Sequence, residues 1–288
     1  MAPTHSEESP RCSIRVTVLV ENTAPNSSTL GGEHGLAFYV EADGACGLFD
    51  TGQTGLAVDN AQALGIDLSH VSWLALSHGH YDHTGGLDAV LDATPEVHVF
   101  AHPAAFAPKY KRTADGDWAS IGTALSIDEA MGRCGRLHLD KGPVELTTSV
   151  RSSGEIRVRL PSEEPLEDFY TDKDGERVRD MFADDQCLIL RTAAGVSVLL
   201  GCCHAGLAST LSHVREITGV SRLHTVAGGM HLRNATAQRI QSAIDTLRAY
   251  HVERIGLAHC TGEVATQAFL EAFGSQCFLC PVGTVVAL

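Results

Sequence analysis

An apolar stretch that runs directly into a cluster of histidines is the feature that most constrains the fold of this chain. Residues 71–76 read Val-Ser-Trp-Leu-Ala-Leu, which is typical of a buried strand. Four side chains that can bind a metal follow within six residues: His78, His80, Asp82 and His83. If they only capped the next helix, three clustered imidazoles would lack partners behind an apolar strand, which is costly. The pattern therefore predicts a metal site at the carboxyl end of this strand.

The residue types do not select a single metal. Imidazole nitrogen and carboxylate oxygen suit several divalent ions. We expect one or two ions, zinc first, with manganese, iron, nickel or magnesium as alternatives. Asp82 and His83 are also the candidate catalytic residues, with Asp82 accepting a proton from a water or an attacking amine.

Three further histidines, His204, His231 and His259, each follow a predicted strand. Because α/β sheets collect ligands at the carboxyl ends of strands, we expect all three near the first cluster. His204 would complete one metal site with the first two histidines of that cluster. His259 would complete a second site with the aspartate and histidine at its end, a role for which His231 competes.

The spacing of apolar residues predicts an α/β protein. Predicted strands lie at 14–20, 36–40, 46–49, 71–76, 97–101, 144–150, 187–191, 196–200, 224–227, 254–258 and 282–287. Predicted helices lie at 55–64, 84–91, 205–217, 235–250 and 264–273. Two strand-rich halves that each carry helices indicate a four-layer αββα sandwich, and we expect one domain over residues 1–288.

Two segments, near 103–136 and 161–185, interrupt this pattern and are predicted to be insertions. The first holds the basic run 109–112, and the second holds ten acidic residues against three basic ones. Each is interpreted either as a solvated surface loop or as a flap that covers a site and excludes water.

The histidine cluster also carries a family resemblance. His78-x-His80-x-Asp82-His83 resembles the metal-binding motif of the metallo-β-lactamase superfamily, and the segment that begins at Asp50 is similar to its upstream aspartate element. The resemblance implies the four-layer fold, and we expect Asp50 to orient the histidine loop by hydrogen bonds rather than to bind metal.

A narrower resemblance covers further segments along the chain. Those segments are 50–53, 77–87, 201–206, 228–232 and 259–262. They are similar to the branch of 7,8-dihydropterin-6-ylmethyl-4-(β-D-ribofuranosyl)aminobenzene-5′-phosphate synthases. Membership of that branch implies an enzyme that joins an activated pterin to an aminobenzene ribose phosphate, with loss of pyrophosphate.

One position departs from the superfamily pattern. Where an aspartate usually bridges two metals, this chain has Cys202, followed by Cys203. A metal-bound thiolate and a buried thiol that binds nothing are both open interpretations. Asp184 and Asp185 are alternative carboxylate donors.

Several residues are candidates for contact with substrate. His34 precedes a predicted strand, resembles a branch element and is expected to line the pocket. Arg151 and the basic run 109–112 are candidates to hold phosphate, and the loop around Ser153 offers backbone N–H groups to an anion.

Composition limits the partners. With 21 basic and 35 acidic residues the net charge is −14, which disfavours nucleic acid as the main ligand. No apolar run is long enough to span a membrane, and the polar N-terminus has no export-signal pattern, so we expect a cytoplasmic protein with a small-molecule substrate. Nothing in the sequence indicates its oligomeric state.

Two other functions fit the same residues. One is hydrolysis of a phosphodiester, lactone or thioester at the same metal site. The other is a non-catalytic ligand sensor, which would have a closed metal shell with no position for water or substrate.

Overall fold

A computed structural model describes residues 13–26, 29–164 and 168–288. The strands are β1 Arg15–Val20, β2 Ala37–Ala42, β3 Ala45–Phe49, β4 Val71–Ala75, β5 His98–Ala101, β6 Lys109–Arg112, β7 Trp118–Ser120, β8 Arg136–Leu139, β9 Val150–Ser152, β10 Phe169–Lys173, β11 Glu176–Arg179, β12 Cys187–Thr192, β13 Gly195–Leu200, β14 Thr225–Gly229, β15 Arg254–Ala258, β16 Cys277–Leu279 and β17 Val285–Ala287. The α-helices are α1 Leu56–Ala63, α2 Tyr81–Thr84, α3 Leu87–Ala93, α4 Ile127–Met131, α5 Leu207–Thr218, α6 Ala237–Ala249 and α7 Glu263–Phe273.

Two large sheets pack face to face. The first has the strand order β17-β1-β2-β3-β4-β5-β8, and the second has the order β16-β15-β14-β13-β12-β9. Val18 and Phe38 of the first sheet share one buried cluster with Leu188 and Leu199 of the second. Because side chains alternate along a strand, the opposite residues of each sheet point outward and need a second cover.

Helices supply that cover on both outer faces. Leu74 of the first sheet packs in a cluster with residues of α1 and α3, including Leu87. Ile255 of the second sheet packs with α5, α6 and α7, including Leu247 and Phe269. The predicted four-layer αββα sandwich is therefore confirmed. Across the three described ranges, we find no helix of the length and apolar character that crossing a bilayer requires.

The two predicted insertions pair with each other. Strands β6 and β7 of the first and β10 and β11 of the second form a third, four-stranded sheet in the order β11-β10-β6-β7. Phe169 of β10 lies opposite Lys111 of β6. The basic and acidic segments are thus one structural unit, which we call the small sheet.

Three predicted elements need correction. Residues 144–149 form a turn and not a strand, because the Asp43 carboxylate accepts the Ser149 backbone N–H at 2.7 Å and ordered strand pairing starts at Val150. The predicted helix at 84–91 begins at Leu87. The last strand starts at 285, after a turn closed by the hydrogen bond from the Thr284 N–H to the Pro281 carbonyl.

Candidate metal centre

The predicted ligands meet at one rim of the sandwich. The loop 78–83 follows β4 of the first sheet, as Asp50 follows β3. His204, His231 and His259 follow β13, β14 and β15, which are neighbours in the second sheet. The parallel strands of each sheet end at the same edge, so their terminal residues from both sheets converge.

Backbone conformation turns several of these residues inward. Asp50, Cys203, His231 and His259 have φ values of 65°, 59°, 49° and 51°. Residues other than glycine rarely adopt this left-handed region, and such strain is concentrated at functional sites. The backbone at these strand ends therefore leaves the extended conformation, which directs the side chains towards one another.

His78, His80 and His204 form what we call the aromatic-side group. Nε2 of His78 lies 3.3 Å from Nε2 of His204. The His80 ring is 4.6 Å from that of His78, and its buried Nε2 has no hydrogen-bond partner within the described part of the chain. Phe182 stacks on His204 at 4.2 Å with the planes 4° apart. Burial lowers the pKa of all three histidines well below 6.5, so they are neutral.

Asp82, His83 and His259 form what we call the carboxylate-side group. Nε2 of His83 lies 3.3 Å from Nε2 of His259, and Asp82 Oδ2 lies 3.2 Å from the latter. His34 Nε2 is also 3.2 Å from Asp82 Oδ2. His231 stands apart from this group, with its ring 4.2 Å from that of His204. The structure thus brings His259, and not His231, beside the aspartate–histidine pair.

Hydrogen bonds at the far side of the rings fix which nitrogen faces inward. Asp50 accepts from His83 Nδ1 at 2.7 Å and from Ser77 Oγ at 2.7 Å. Because the single proton of Ser77 goes to Asp50, its oxygen accepts from His78 Nδ1 at 2.9 Å. The orienting role predicted for Asp50 agrees with this geometry.

The inward nitrogens therefore carry lone pairs that face one another. His259 Nδ1 lies 3.1 Å from the amide oxygen of Asn22, so it too is protonated at Nδ1 and unprotonated at Nε2. When His83 keeps only its Nδ1 proton, as a metal ligand must, the His83–His259 contact at 3.3 Å brings two acceptors together. Tetrahedral zinc with ligand bonds of about 2.0–2.1 Å separates two nitrogens by about 3.3 Å. The residues present fit a metal ion.

Charge in the carboxylate-side group favours a cation. Burial alone would lower the pKa of His83, but the charges of Asp50 and Asp82 raise it to about 9. Burial would raise the pKa of Asp82, but His83, His259 and His34 hold it well below 3.8. Without metal, a proton on His83 therefore supplies the positive charge that these carboxylates require.

The small sheet is tied to the metal loop by a buried ion network. Asp184 accepts the Gly79 N–H at 2.8 Å and Lys109 Nζ at 3.0 Å. Lys109 also donates to Asp180 at 2.8 Å, and only 1% of it is exposed. Lys109 was expected to hold phosphate, but it is committed to these carboxylates and cannot reach a ligand.

A cavity of about 330 Å³ opens beside the two groups. Members of both groups line it together with His34, Tyr81, Phe169, Lys111 and Arg233. His34, which we expected to line the pocket, is among these lining residues. The small sheet, through Phe169 and Lys111, covers part of the site, as the flap interpretation requires.

Two predicted substrate residues lie outside the described lining of this cavity. Arg151 Nε is 3.4 Å from the carboxylate of Glu145. Ser153 Oγ accepts the Cys187 N–H at 3.0 Å and is buried. Sequence reasoning missed Arg233, although its position two residues after His231 was a usable signal.

The fold and the paired imidazoles define an αββα protein with a candidate metal site. Residues 30–178 match the family model of the metallo-beta-lactamase superfamily. The chain is also 31% identical over 274 residues to 7,8-dihydropterin-6-methyl-4-(beta-D-ribofuranosyl)-aminobenzene-5′-phosphate synthase of Methanocaldococcus jannaschii, covering 90% of this chain and 92% of that protein. The chain belongs to the metallo-beta-lactamase superfamily, and its resemblance to the synthase branch is confirmed.

Solved structures agree with this assignment. The crystal structure of Tm1679, a metal-dependent hydrolase of the beta-lactamase superfamily, has 29% identity and a TM-score of 0.80, over 96% of this chain and 99% of that one. Zn²⁺-bound PqqB from Methylobacterium extorquens has 13% identity and a TM-score of 0.56, over 95% and 100% of the two chains, and supports the fold alone.

Proposed function

We propose that this protein is a metal-dependent transferase that joins an activated dihydropterin to a ribofuranosylaminobenzene phosphate. The observation that carries the proposal is the open cavity beside both ligand groups, with Lys111 and Arg233 in its lining. Two cations next to a metal site suit a substrate that carries phosphate. The synthase of Methanocaldococcus jannaschii, similar over 90% of this chain, supplies the substrate class.

The two groups would each hold one divalent ion, zinc first, in line with the donor types. The aromatic-side group offers three imidazoles, and the carboxylate-side group offers two imidazoles and a carboxylate. When bound, the ions supply Lewis-acid stabilisation of a departing pyrophosphate. Asp50 and Ser77 keep the imidazoles of His83 and His78 in the required tautomer.

The remaining cavity residues bind and position the substrates. Lys111 and Arg233 neutralise phosphate, and the rings of Tyr81 and Phe169 offer apolar surface to a flat heterocycle. The carboxylate oxygen of Asp82 that does not bind the ion would accept the proton that the aminobenzene loses as the new bond forms. His34, 3.2 Å from Asp82 Oδ2 and with 42% of its side chain exposed, passes that proton to solvent.

Hydrolysis is the second candidate because Tm1679, similar over 96% of this chain, is described as a metal-dependent hydrolase. Both reactions would use the same ions, and they differ in whether water or an aminobenzene attacks. A purely sensory role fits less well, since the ligand candidates line an open cavity instead of a closed shell.

The test compares synthase and hydrolase substrates on one metal-loaded preparation. Formation of the coupled product, followed by mass spectrometry together with pyrophosphate release, is the expected result. A panel of phosphodiesters, lactones and thioesters is run alongside. Rapid hydrolysis of one of these without coupling, or full turnover by metal-free protein, would overturn the proposal.

Cation variants test how phosphate is held. Lys111→Met should raise KM for the phosphorylated substrate roughly 10- to 100-fold, because a charge-assisted hydrogen bond contributes about 1.5–3 kcal/mol. Arg112→Met is the matched control: it removes a neighbouring cation that lies over the ring of Trp118 at 3.8 Å and should leave KM unchanged. Equal effects of the two substitutions would contradict the assignment.

A further inference from the structure

Cys202 occupies a central position between the two ligand groups. Its Sγ lies 3.1 Å from Nε2 of His83. The same sulfur lies within 4.8 Å of the ligand atoms of all three members of the carboxylate-side group, and also within 4.8 Å of those of His78 and His204. It therefore stands at the point that a ligand shared by both groups would occupy.

The neighbouring cysteine shows that this placement is specific. Cys203 Sγ lies 3.4 Å from Oγ1 of Thr210 and packs in the helix-covered core with Leu207. The left-handed backbone of Cys203, with φ of 59°, reverses the direction of the chain between the two side chains. One thiol thus faces the ligand groups and the next faces the core.

Neither of the other two candidate carboxylates belongs to a group of potential ligand atoms in the described ranges. Both oxygens of Asp184 accept hydrogen bonds, from Gly79 and Lys109. Asp185 accepts the Ala205 N–H at 2.8 Å through Oδ2, and its buried Oδ1 has no hydrogen-bond partner among the described residues, but it lies outside both ligand groups. Asp82 is then the one carboxylate in the two ligand groups, a single negative charge where two divalent ions would bring four positive ones.

A second observation shows that the aromatic-side group needs an ion. His80 is 95% buried, lines the cavity, and its Nε2 has no hydrogen-bond partner in the described structure. A buried nitrogen of this kind is costly unless it coordinates something. A neutral thiol at Cys202 can donate to one nitrogen only, whereas a thiolate can bind two ions.

We propose that Cys202 binds metal as a thiolate and that its sulfur is shared between the ion of the aromatic-side group and that of the carboxylate-side group. On metal binding the S–H bond breaks, the proton passes to solvent, and the sulfur lone pairs form the new bonds. No electron is transferred. The inference rests on the metal binding of the proposed function, but not on its substrate.

Cobalt is the probe, because thiolate-bound Co²⁺ gives a sulfur-to-metal charge-transfer band in the near ultraviolet. Metal-free protein is loaded with Co²⁺, the spectrum is recorded, and ions per chain are counted by mass spectrometry. The wild type should show the band with two ions bound. Cys202→Ser should lose the band and bind the second ion at least roughly 10-fold more weakly.

Three more variants make the result specific. Cys202→Asp should lose the band but keep two ions, because a carboxylate can also bridge. If Cys202→Ser does not fold, this variant still tests whether the band comes from the Cys202 sulfur. Cys203→Ser, with its thiol in the core, and Cys260→Ser, whose sulfur accepts the His231 N–H at 3.2 Å, should both keep the band.

The outcomes separate this inference from the proposed function. A band that persists in Cys202→Ser, or one that disappears in Cys260→Ser, would overturn the thiolate ligand. Wild-type protein that binds two ions without a band would do the same. A normal band in protein that catalyses no coupling would leave the thiolate in place and reject only the synthase. Failure to bind cobalt would reject both.

Discussion

The two ligand groups are built from the same residue type but are held in different ways. On the carboxylate side, the far nitrogens of His83 and His259 lie 2.7 Å from Asp50 and 3.1 Å from Asn22. On the aromatic side, His78 has the Ser77 hydroxyl at 2.9 Å, but the other two imidazoles pack against rings: Phe182 stacks on His204 at 4.2 Å, and Phe169 packs edge-on against His80 at 5.2 Å.

This difference separates two ways to orient an imidazole. Polar partners fix the tautomer and raise ligand basicity, whereas aromatic partners fix the ring plane and exclude water. Phe169 and Phe182 come from the acidic insertion, so the aromatic side depends on the small sheet. The carboxylate side depends on residues at the ends of β1, β3 and β15. We expect the two sides to respond differently to substitution.

Removing one ligand from each side is the strongest way to test the comparison. His204→Ala and His259→Ala should each abolish turnover and lower the affinity for one ion by more than about 100-fold. This loss is larger than the roughly 10- to 100-fold loss of affinity expected when a residue that only orients a ligand is removed. Metal titration with ion counting measures this. Loss of both ions from either variant would show that the sides are one inseparable centre.

Breaking the ion network under the small sheet should affect the aromatic side through stability. Lys109→Met leaves Asp180 and Asp184 buried without their cation, which costs about 3–5 kcal/mol in the free energy of unfolding. Denaturant unfolding of metal-free protein measures the loss. Lys173→Met, an exposed lysine on the same small sheet, is the control and should change stability little. Equal stability of the two variants would contradict a structural role for the network.

The sequence was sufficient for much of this site because its signals are local. The apolar strand and the segment from His78 to His83 that follows it are adjacent in sequence, so the position of these ligands at the strand end does not depend on contacts with distant parts of the chain. His204 and His259 were predictable because each ends an apolar strand. The choice of His259 over His231 was not, since it depends on Glu21 and Asn22, which follow the end of β1 and contact His259 from 237 residues or more away in sequence.

The misplaced phosphate residues have a common cause. Lys109 and Lys111 belong to the same basic run, and the sequence gives no reason to treat them differently. In the structure, Lys109 is buried beneath the metal loop and Lys111 lines the cavity. Residues i and i+2 share one face of a strand, so position along β6 decides this: Lys109 reaches Asp180 and Asp184, whereas Lys111 lies opposite Phe169, and neither contact can be identified without the pairing with β10. Arg151 is likewise a half-buried cation whose neighbour, Glu145, could not be identified from composition.

Substituting one orienting residue on each side compares the two mechanisms directly. Asp50→Asn should weaken ion binding on the carboxylate side by about 10- to 100-fold, because it removes the charge behind His83. Phe182→Leu removes the stacking partner of His204 and should weaken binding on the aromatic side by less than about 10-fold, since an aromatic pair is worth about 0.5–1.5 kcal/mol. Competition with a metallochromic chelator measures both affinities. A larger effect of Phe182→Leu would reverse our ranking of the two sides.

The smallest effect concerns pH, to which the metal-free sides should respond in opposite directions. His78, His80 and His204 have pKa values well below 6.5, so the unfolded chain binds more protons there and stability falls as the pH drops through 6.5. The pKa of His83 is raised to about 9, so its contribution is complete below its unfolded pKa and is lost as the pH rises through 9.

Metal-free protein should therefore have its highest Tm between these two limits. Each 1 kcal/mol moves the Tm of a chain of this size by about 2–4 °C, so scanning calorimetry across this pH range can resolve both arms. Buried thiols also lower stability at high pH, and the difference between wild type and Asp50→Asn isolates the His83 contribution. That variant should flatten the alkaline arm and leave the acidic arm intact, because Asp50 contacts His83 directly and contacts the aromatic-side group only through Ser77. An unchanged alkaline arm would mean that Asp50 orients His83 without holding its charge, and the electrostatic contrast between the two sides would then be lost.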